Sequence, residues 1–198
     1  MEDGRIVEEV ALFAPDGYGQ LLFGQMEALL KRLGIAITAI DCFATARGPG
    51  SFTGVRVGLA AMKGLAFATT KPVCAIPNLE AIAFLGSAPL RAAFIDARRQ
   101  QIFAAIYDEQ LKVVSPEVVT SLPQWLSGIG EQDVEFLSTD LAGYELGNRP
   151  AKSVGNNLAG VVGRLSYGRF MQGLAQHPGE LDANYVRRAD AELFWEDK

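Results

Sequence analysis

The stretch Gly48 to Arg56 reads GPGSFTGVR and gathers residue types from which phosphate loops and nucleophile turns are built. Gly48, Gly50 and Gly54 free the backbone, Ser51 and Thr53 bring hydroxyls, and Arg56 brings a cation. The stretch lies between an apolar run ending at Ala46 and another beginning at Val55, where a strand-to-helix turn can present N–H groups to an anion. Each known chemistry makes a spacing demand. A dinucleotide fingerprint needs GxGxxG, but Thr53 stands where the third glycine belongs. A Walker A loop needs a glycine five residues after the first, followed by lysine, and neither Gly48 nor Gly50 has one. A nucleophile elbow needs GxSxG, and Ser51 is flanked instead by Pro49 and Thr53. What remains is a sharp turn whose hydroxyls can cap the free amides of a helix start.

Acid–base and metal chemistry are similarly constrained. His177 is the only histidine and falls in GLAQHPGELD, a loop-like segment, so paired-histidine sites and HExxH motifs are excluded and a Ser-His-Asp triad would depend on it entirely. Cys42 and Cys74 lie in apolar runs and read as buried core thiols, with no CxxC pair. Eighteen Lys and Arg against 23 Asp and Glu give a net charge of −5, a poor global field for a phosphate backbone. Any nucleic acid is therefore expected to be held by another subunit. No apolar run reaches the ~18 residues of a membrane span, and MEDGRIVEEV has neither a signal-peptide core nor transit-peptide character. A reducing, cytoplasmic setting is expected.

The elements that must position these residues follow from periodicity. RIVEEVALF (5–13) reads as a strand and APDGYG as a turn. Leu22, Met26, Leu29, Leu30 and Leu33 recur at helical spacing over 18–33, with Gly34 as the stop. A strand over 40–46, the glycine turn, a helix over 54–69, a strand over 72–76 and a short helix capped by Asn78 complete an α/β rhythm. After Leu90, RAAFIDA and QIFAAIYD form a hairpin through RRQ; a strand over 111–119, a helix over 122–129, a strand over 134–138 and a helix over 157–170 follow. The division expected is an N-terminal lobe of residues 1–89 and a C-terminal lobe with tail of residues 90–198. Within the helix over 54–69, Ala60, Gly64 and Ala68 recur every fourth residue, and Gly54 and Gly58 extend a similar small surface. Such a stripe admits close approach, either of the chain's own sheet or of a partner helix.

Taken together, ARGPGSFTGVRVGLAAMKGLAFATTKPVCAIPNLEAIA, FIDARRQQIFAAIYD and the terminal YVRRADAE closely resemble the TsaB (YeaZ) family over most of the chain. The resemblance implies the α/β, two-lobed actin- and Hsp70-like (ASKHA) fold with ribonuclease H-like lobes. It implies a noncatalytic scaffold in tRNA threonylcarbamoyladenosine synthesis, paired with a TsaD-like catalytic subunit that transfers the threonylcarbamoyl group to the adenosine beside the anticodon, with a TsaE-like ATPase in the same system. tRNA would be reached only through the complex, no cofactor is expected, and the chain could also form a homodimer. By the same resemblance, the helices over 18–33 and 54–69 would form a bundle with the partner: Leu22, Met26 and Leu29 would give apolar contact, and Gly58, Ala60 and Gly64 close packing. Asp96, Arg98 and Arg99 match the family's IDARR signature. They read either as a charge-stabilised turn or as a substrate contact.

The family's opening strand and Asp-Thr-Ser turn have no match before residue 5, from which a first lobe short of its opening hairpin, and hence marginal stability, is expected. Two other classes stay open: an actin-like ATPase or small-molecule kinase, and a self-associating interaction protein without a tRNA role.

Overall fold

The computed structural model describes residues 1–12 and 19–186. Its contacts divide the chain into two units. The first gathers the described residues up to Arg47, Ser51–Ile76 and Ala159–Ala183; the second gathers Gly48–Gly50, Pro77–Leu158 and the described residues from Asn184 onward. The boundary expected at residue 89 is therefore displaced. The chain crosses already at Pro77, and a late helix returns to the first unit, because each helix goes where a sheet face needs cover.

In the first unit, β1 (Phe43–Ala46) and β2 (Val73–Ile76) run parallel, Ala44 opposite Cys74. Alternation sends Val73 and Ala75 toward α2 (Phe52–Thr69), where they join Phe43, Leu59 and Ala66 in one core. On the other face Cys74 Sγ meets the Ser166 carbonyl of α5 (Ala159–Met171) at 3.6 Å, and Arg169 donates to the Ala75 carbonyl at 3.0 Å. The first helix, α1 (Gly19–Leu33), stops at Gly34, whose φ of +67° lets Ile35 N–H reach back to the Leu30 carbonyl at 3.0 Å. No residue of α1 is fully buried.

The strand expected over 5–13 does not form among the residues described there. Glu2 and Arg5 exchange backbone hydrogen bonds around Asp3 and Gly4, and the chain then runs along α5 without a ladder partner. Glu9 accepts the Gly160 amide at 2.6 Å, placing a carboxylate at the positive end of α5. A side chain at Gly160 would meet Ile6 at 2.6 Å, and one at Gly163 would meet Met1 at 2.7 Å. Of the apolar residues, Ile6 rests on α5 while Val7, Val10 and Leu12 are exposed. The APDGYG turn lies outside the described residues, apart from Gly19 at the start of α1.

The second unit is a five-stranded sheet in the order β5-β4-β3-β6-β7. β3 (Leu90–Asp96) and β4 (Ile102–Asp108) form the expected hairpin, and β5 (Val113–Thr120) continues it antiparallel. β6 (Glu135–Ser138) joins β3 in parallel, and β7 (Ala151–Ser153), a short exposed edge that no sequence pattern announces, joins β6. The central strands are buried on both faces. Phe94, Ile102, Ala104 and Phe136 pack against Leu122, Trp125 and Ile129 of α4 (Leu122–Ile129), while Ala93, Ala105, Tyr107 and Leu137 pack against Leu79, Ile82 and Ala83 of α3 (Asn78–Ala83). Asn78 is the first residue of α3 and does not cap it: its amide donates to the Gly48 carbonyl at 2.8 Å, and its side-chain oxygen is buried without a partner. Beside α3, Glu135 accepts the Ser87 amide at 2.6 Å and the Ala88 amide at 3.0 Å.

Phe94 is wholly buried and meets Trp125 edge-on at 5.9 Å. Phe94→Ala should cost roughly 3–5 kcal/mol, read from urea unfolding followed by Trp125 fluorescence; a loss under 1 kcal/mol would contradict this packing. A second expectation concerns acid. Burial pushes the Glu135 carboxyl up, but the two amides, with Lys152 and Arg91 nearby, outweigh it and hold the folded-state pKa below its ordinary value. Its stabilisation is therefore complete above the unfolded pKa and is lost as pH falls through the lower, folded one. Glu135→Gln should be less stable than wild type at pH 7, the gap closing below about pH 4; a gap constant with pH would count against the amide cradle.

Candidate functional site

The glycine loop is a steric solution before it is a chemical one. β1 ends at Ala46, and Arg47 N–H extends the ladder to the Ile76 carbonyl at 2.9 Å. Gly48 then takes φ +94°, which a residue with a side chain rarely adopts, and a cis bond leads into Pro49. Ser51 is the N-cap of α2, its Oγ accepting the Gly54 amide at 3.3 Å. The expected capping hydroxyl is thus Ser51, while Thr53 is exposed on the first turn. The Arg56 guanidinium lies 3.4 Å from the centre of the exposed Phe52 ring.

Ser51 has no histidine base. His177 packs edge-on against Phe67 at 5.4 Å, near the opposite end of α2. Sixteen residues of helix at about 1.5 Å each separate Phe67 from Ser51 by roughly 24 Å along the axis. The His177 Nδ1 also accepts the Gly179 amide at 3.1 Å, capping a single 3-10 turn. Among the described residues no three His, Cys, Asp or Glu side chains group as metal ligands.

The small residues of α2 separate into two faces. Gly58 points inward: a Cβ there would stand 3.2 Å from Thr45 Oγ1, on a threonine only 8% exposed. Gly64 points outward, where a Cβ would meet nothing within 4 Å, and Ala60 is exposed beside it. Thr53, Arg56, Ala60, Gly64 and Phe67, with Phe52 and Ala68, form a continuous exposed face on which Phe52 and Phe67 are each about half accessible. On α1, Leu22, Met26 and Leu29 are half-buried, and the more exposed apolar side chains are Leu21 and Phe23. Phe52, Phe67, Leu21 and Phe23 went unnoticed in the sequence, although each lies next to a residue singled out there.

In the second unit, Asp96, Arg98 and Arg99 come together in the β3–β4 turn. Asp96 Oδ1 accepts the Arg98 amide at 2.8 Å, and its Oδ2 pairs with the Arg98 guanidinium at 3.2 Å. Arg98, Arg99 and Gln100 all have left-handed φ values, +62°, +55° and +58°. An exposed pair of this kind contributes about 0–1 kcal/mol; the amide bond is what holds the turn, in keeping with the structural reading of the signature.

A family model described as TsaD, tRNA N6-adenosine threonylcarbamoyltransferase, matches residues 17–146. The chain is 26% identical to the tRNA threonylcarbamoyladenosine biosynthesis protein TsaB of Bacillus subtilis, over 98% of this chain and 90% of that protein. It is 36% identical to the TsaB of Haemophilus influenzae over 68% of this chain and 56% of that protein. The solved structure of YeaZ from Pseudomonas aeruginosa superposes with a TM-score of 0.74 at 27% identity, covering 88% of this chain and 86% of that one.

The two glycines should respond oppositely to substitution. Gly64→Ala should stabilise the chain by about 0.5–1 kcal/mol, since helix propensity rises and nothing is displaced. Gly58→Val should destabilise it by roughly 1–3 kcal/mol by driving a branched side chain into Thr45. Equal effects in thermal unfolding would show that the two faces are not distinct.

Proposed function

The chain belongs to the TsaB (YeaZ) family, and on that premise we propose that it is the noncatalytic partner subunit in tRNA threonylcarbamoyladenosine synthesis. Its role is to support a TsaD-like subunit as that enzyme transfers the threonylcarbamoyl group to the adenosine beside the anticodon. The relatives named TsaB carry this biosynthesis in their names, and the TsaD description of the matching family model is in keeping with partners that share a fold.

The observation that carries the proposal is the outer face of α2, with its two half-exposed phenylalanines flanking Ala60 and Gly64. Small residues between aromatic ones let a second helix approach to within about 8–10 Å, and apolar groups exposed in this pattern mark an interaction surface. Leu21 and Phe23 of α1 offer further apolar contact. Gly58 supports the interface only indirectly, by setting α2 against β1. A scaffold role also agrees with the engaged states of Ser51, His177 and Asp96, each held by its own turn or helix end. A TsaE-like ATPase and the tRNA reach this chain through the assembly, and the net charge of −5 fits a subunit that does not hold RNA by itself. The setting proposed is cytoplasmic; among the described residues, no helix is long and apolar enough to cross a membrane.

The test is size-exclusion chromatography with light scattering on this chain, the TsaD-like protein of the same organism, and their mixture. A heterodimer is expected. Gly64→Leu should weaken it roughly 10- to 100-fold while the free chain keeps its circular dichroism, because the site is open when unbound. Unchanged affinity would remove α2 from the interface, and a stable homodimer that excludes the TsaD-like protein would favour the self-association reading. The purified chain alone should show neither peptidase nor transfer activity; turnover abolished by Ser51→Ala or Asp96→Asn would overturn the noncatalytic assignment.

A further inference from the structure

The two cysteines of the first unit face each other across its strand pair. Cys42 immediately precedes β1, and Cys74 is the second residue of β2, opposite Ala44, so both thiols emerge on the same face two residues apart in register. Their sulfurs are 3.9 Å apart, and the Cys42 sulfur also lies 3.3 Å from the Phe43 carbonyl oxygen. Cys74 is 2% exposed and sits under α5, where its sulfur also meets the Ser166 carbonyl. Cys42 is only partly buried. The expectation of two buried core thiols thus holds for Cys74 and not for Cys42, and neither residue belongs to the glycine loop or to the outer face of α2.

We propose that Cys42 and Cys74 are an oxidisable thiol pair that closes to an intramolecular disulfide when it meets a small peroxide. A disulfide bond is about 2.05 Å long, so the sulfurs must approach by about 1.9 Å. The register sets the two Cα atoms on a diagonal, roughly 7–8 Å apart, so closing the bond requires the backbone at Cys42, which lies just outside β1, to move toward β2. The electrostatics divide the roles. The Cys42 hydrogen bond lowers the Cys74 thiol, against the effect of burial and with help from the Arg169 guanidinium, while the same contact and burial raise Cys42. Of the two, Cys74 is the thiol whose ionised form is the more favoured.

Cys42 is the less buried of the two. A Cys42 that has given its proton to solvent attacks a peroxide oxygen; the O–O bond breaks, leaving a Cys42 sulfenic acid and hydroxide, which solvent protonates to water. The Cys74 thiolate then attacks the Cys42 sulfur, the S–S bond forms, the S–O bond breaks, and the second hydroxide leaves as water after protonation by solvent. The thiols lose two electrons and the peroxide gains them. Cys74 needs proximity and thiolate character for this step, which a buried position supplies; Cys42 needs access.

The folded wild-type chain is treated with hydrogen peroxide, quenched, denatured and labelled with N-ethylmaleimide. The expected result is a mass loss of about 2 Da with no maleimide added, a tryptic cross-link between the peptides holding Cys42 and Cys74, and full reversal by dithiothreitol. In Cys42→Ser, Cys74 should escape oxidation and take the label after denaturation. Two labelled thiols at a dose that oxidises free glutathione would overturn the proposal. So would a Cys42 that proceeds to sulfinic acid beside a free Cys74, or a disulfide joining two chains.

Discussion

The contact between Gly58 and Thr45 governs much else in the first unit. With no side chain at residue 58, α2 settles against β1 closely enough that even one added carbon would press on the Thr45 hydroxyl. That seating sends Leu59 and Ala66 into the core and turns Ala60 and Gly64 to the opposite side. A helix anchored by a glycine on one face keeps a flat, accessible surface on the other. The inner face serves packing, and the outer face is the one proposed for association.

The second unit uses the same logic with larger residues. β3 and β4 are buried on both faces, so their alternation is of two cores and not of core against water: Phe94, Ile102 and Ala104 on one side, Ala93 and Ala105 on the other. The alanines make room for α3, the aromatics fill the space under α4, and Trp125 meets Phe94 and Phe136 edge-on. The hairpin turn closing these strands carries its charge outside this packing, with Asp96 holding the Arg98 amide.

The chemistry of the chain is shaped by the same local engagements. Ser51 caps α2, His177 caps a short turn against Phe67, and Asp96 closes a hairpin. Polar groups placed at element ends satisfy backbone amides that folding would otherwise leave bare. The short parallel ladder also brings Cys42 and Cys74 within 3.9 Å of each other, each with a backbone carbonyl beside its sulfur.

Much of the architecture was legible in the sequence because it rests on local rules. Helical spacing marked α1, the paired apolar runs marked β3 and β4, and Gly34 and Ser51 marked a helix stop and a helix start, since propensity and capping act within a few residues. The GPGSFTG and IDARR motifs identified the family for the same reason: they are contiguous. What the sequence left open depended on partners far along the chain. RIVEEVALF had enough apolar residues for a strand, but its contacts through Ile6 and Glu9 go to α5, some 150 residues later. Asn78 had a capping side chain, but its amide faced Gly48 instead. β7 carries no periodic signal because it is three exposed residues defined only by their neighbour β6. Gly58 and Gly64 are alike in type and both lie on α2; only the position of β1 decides that one is a packing contact and the other a surface.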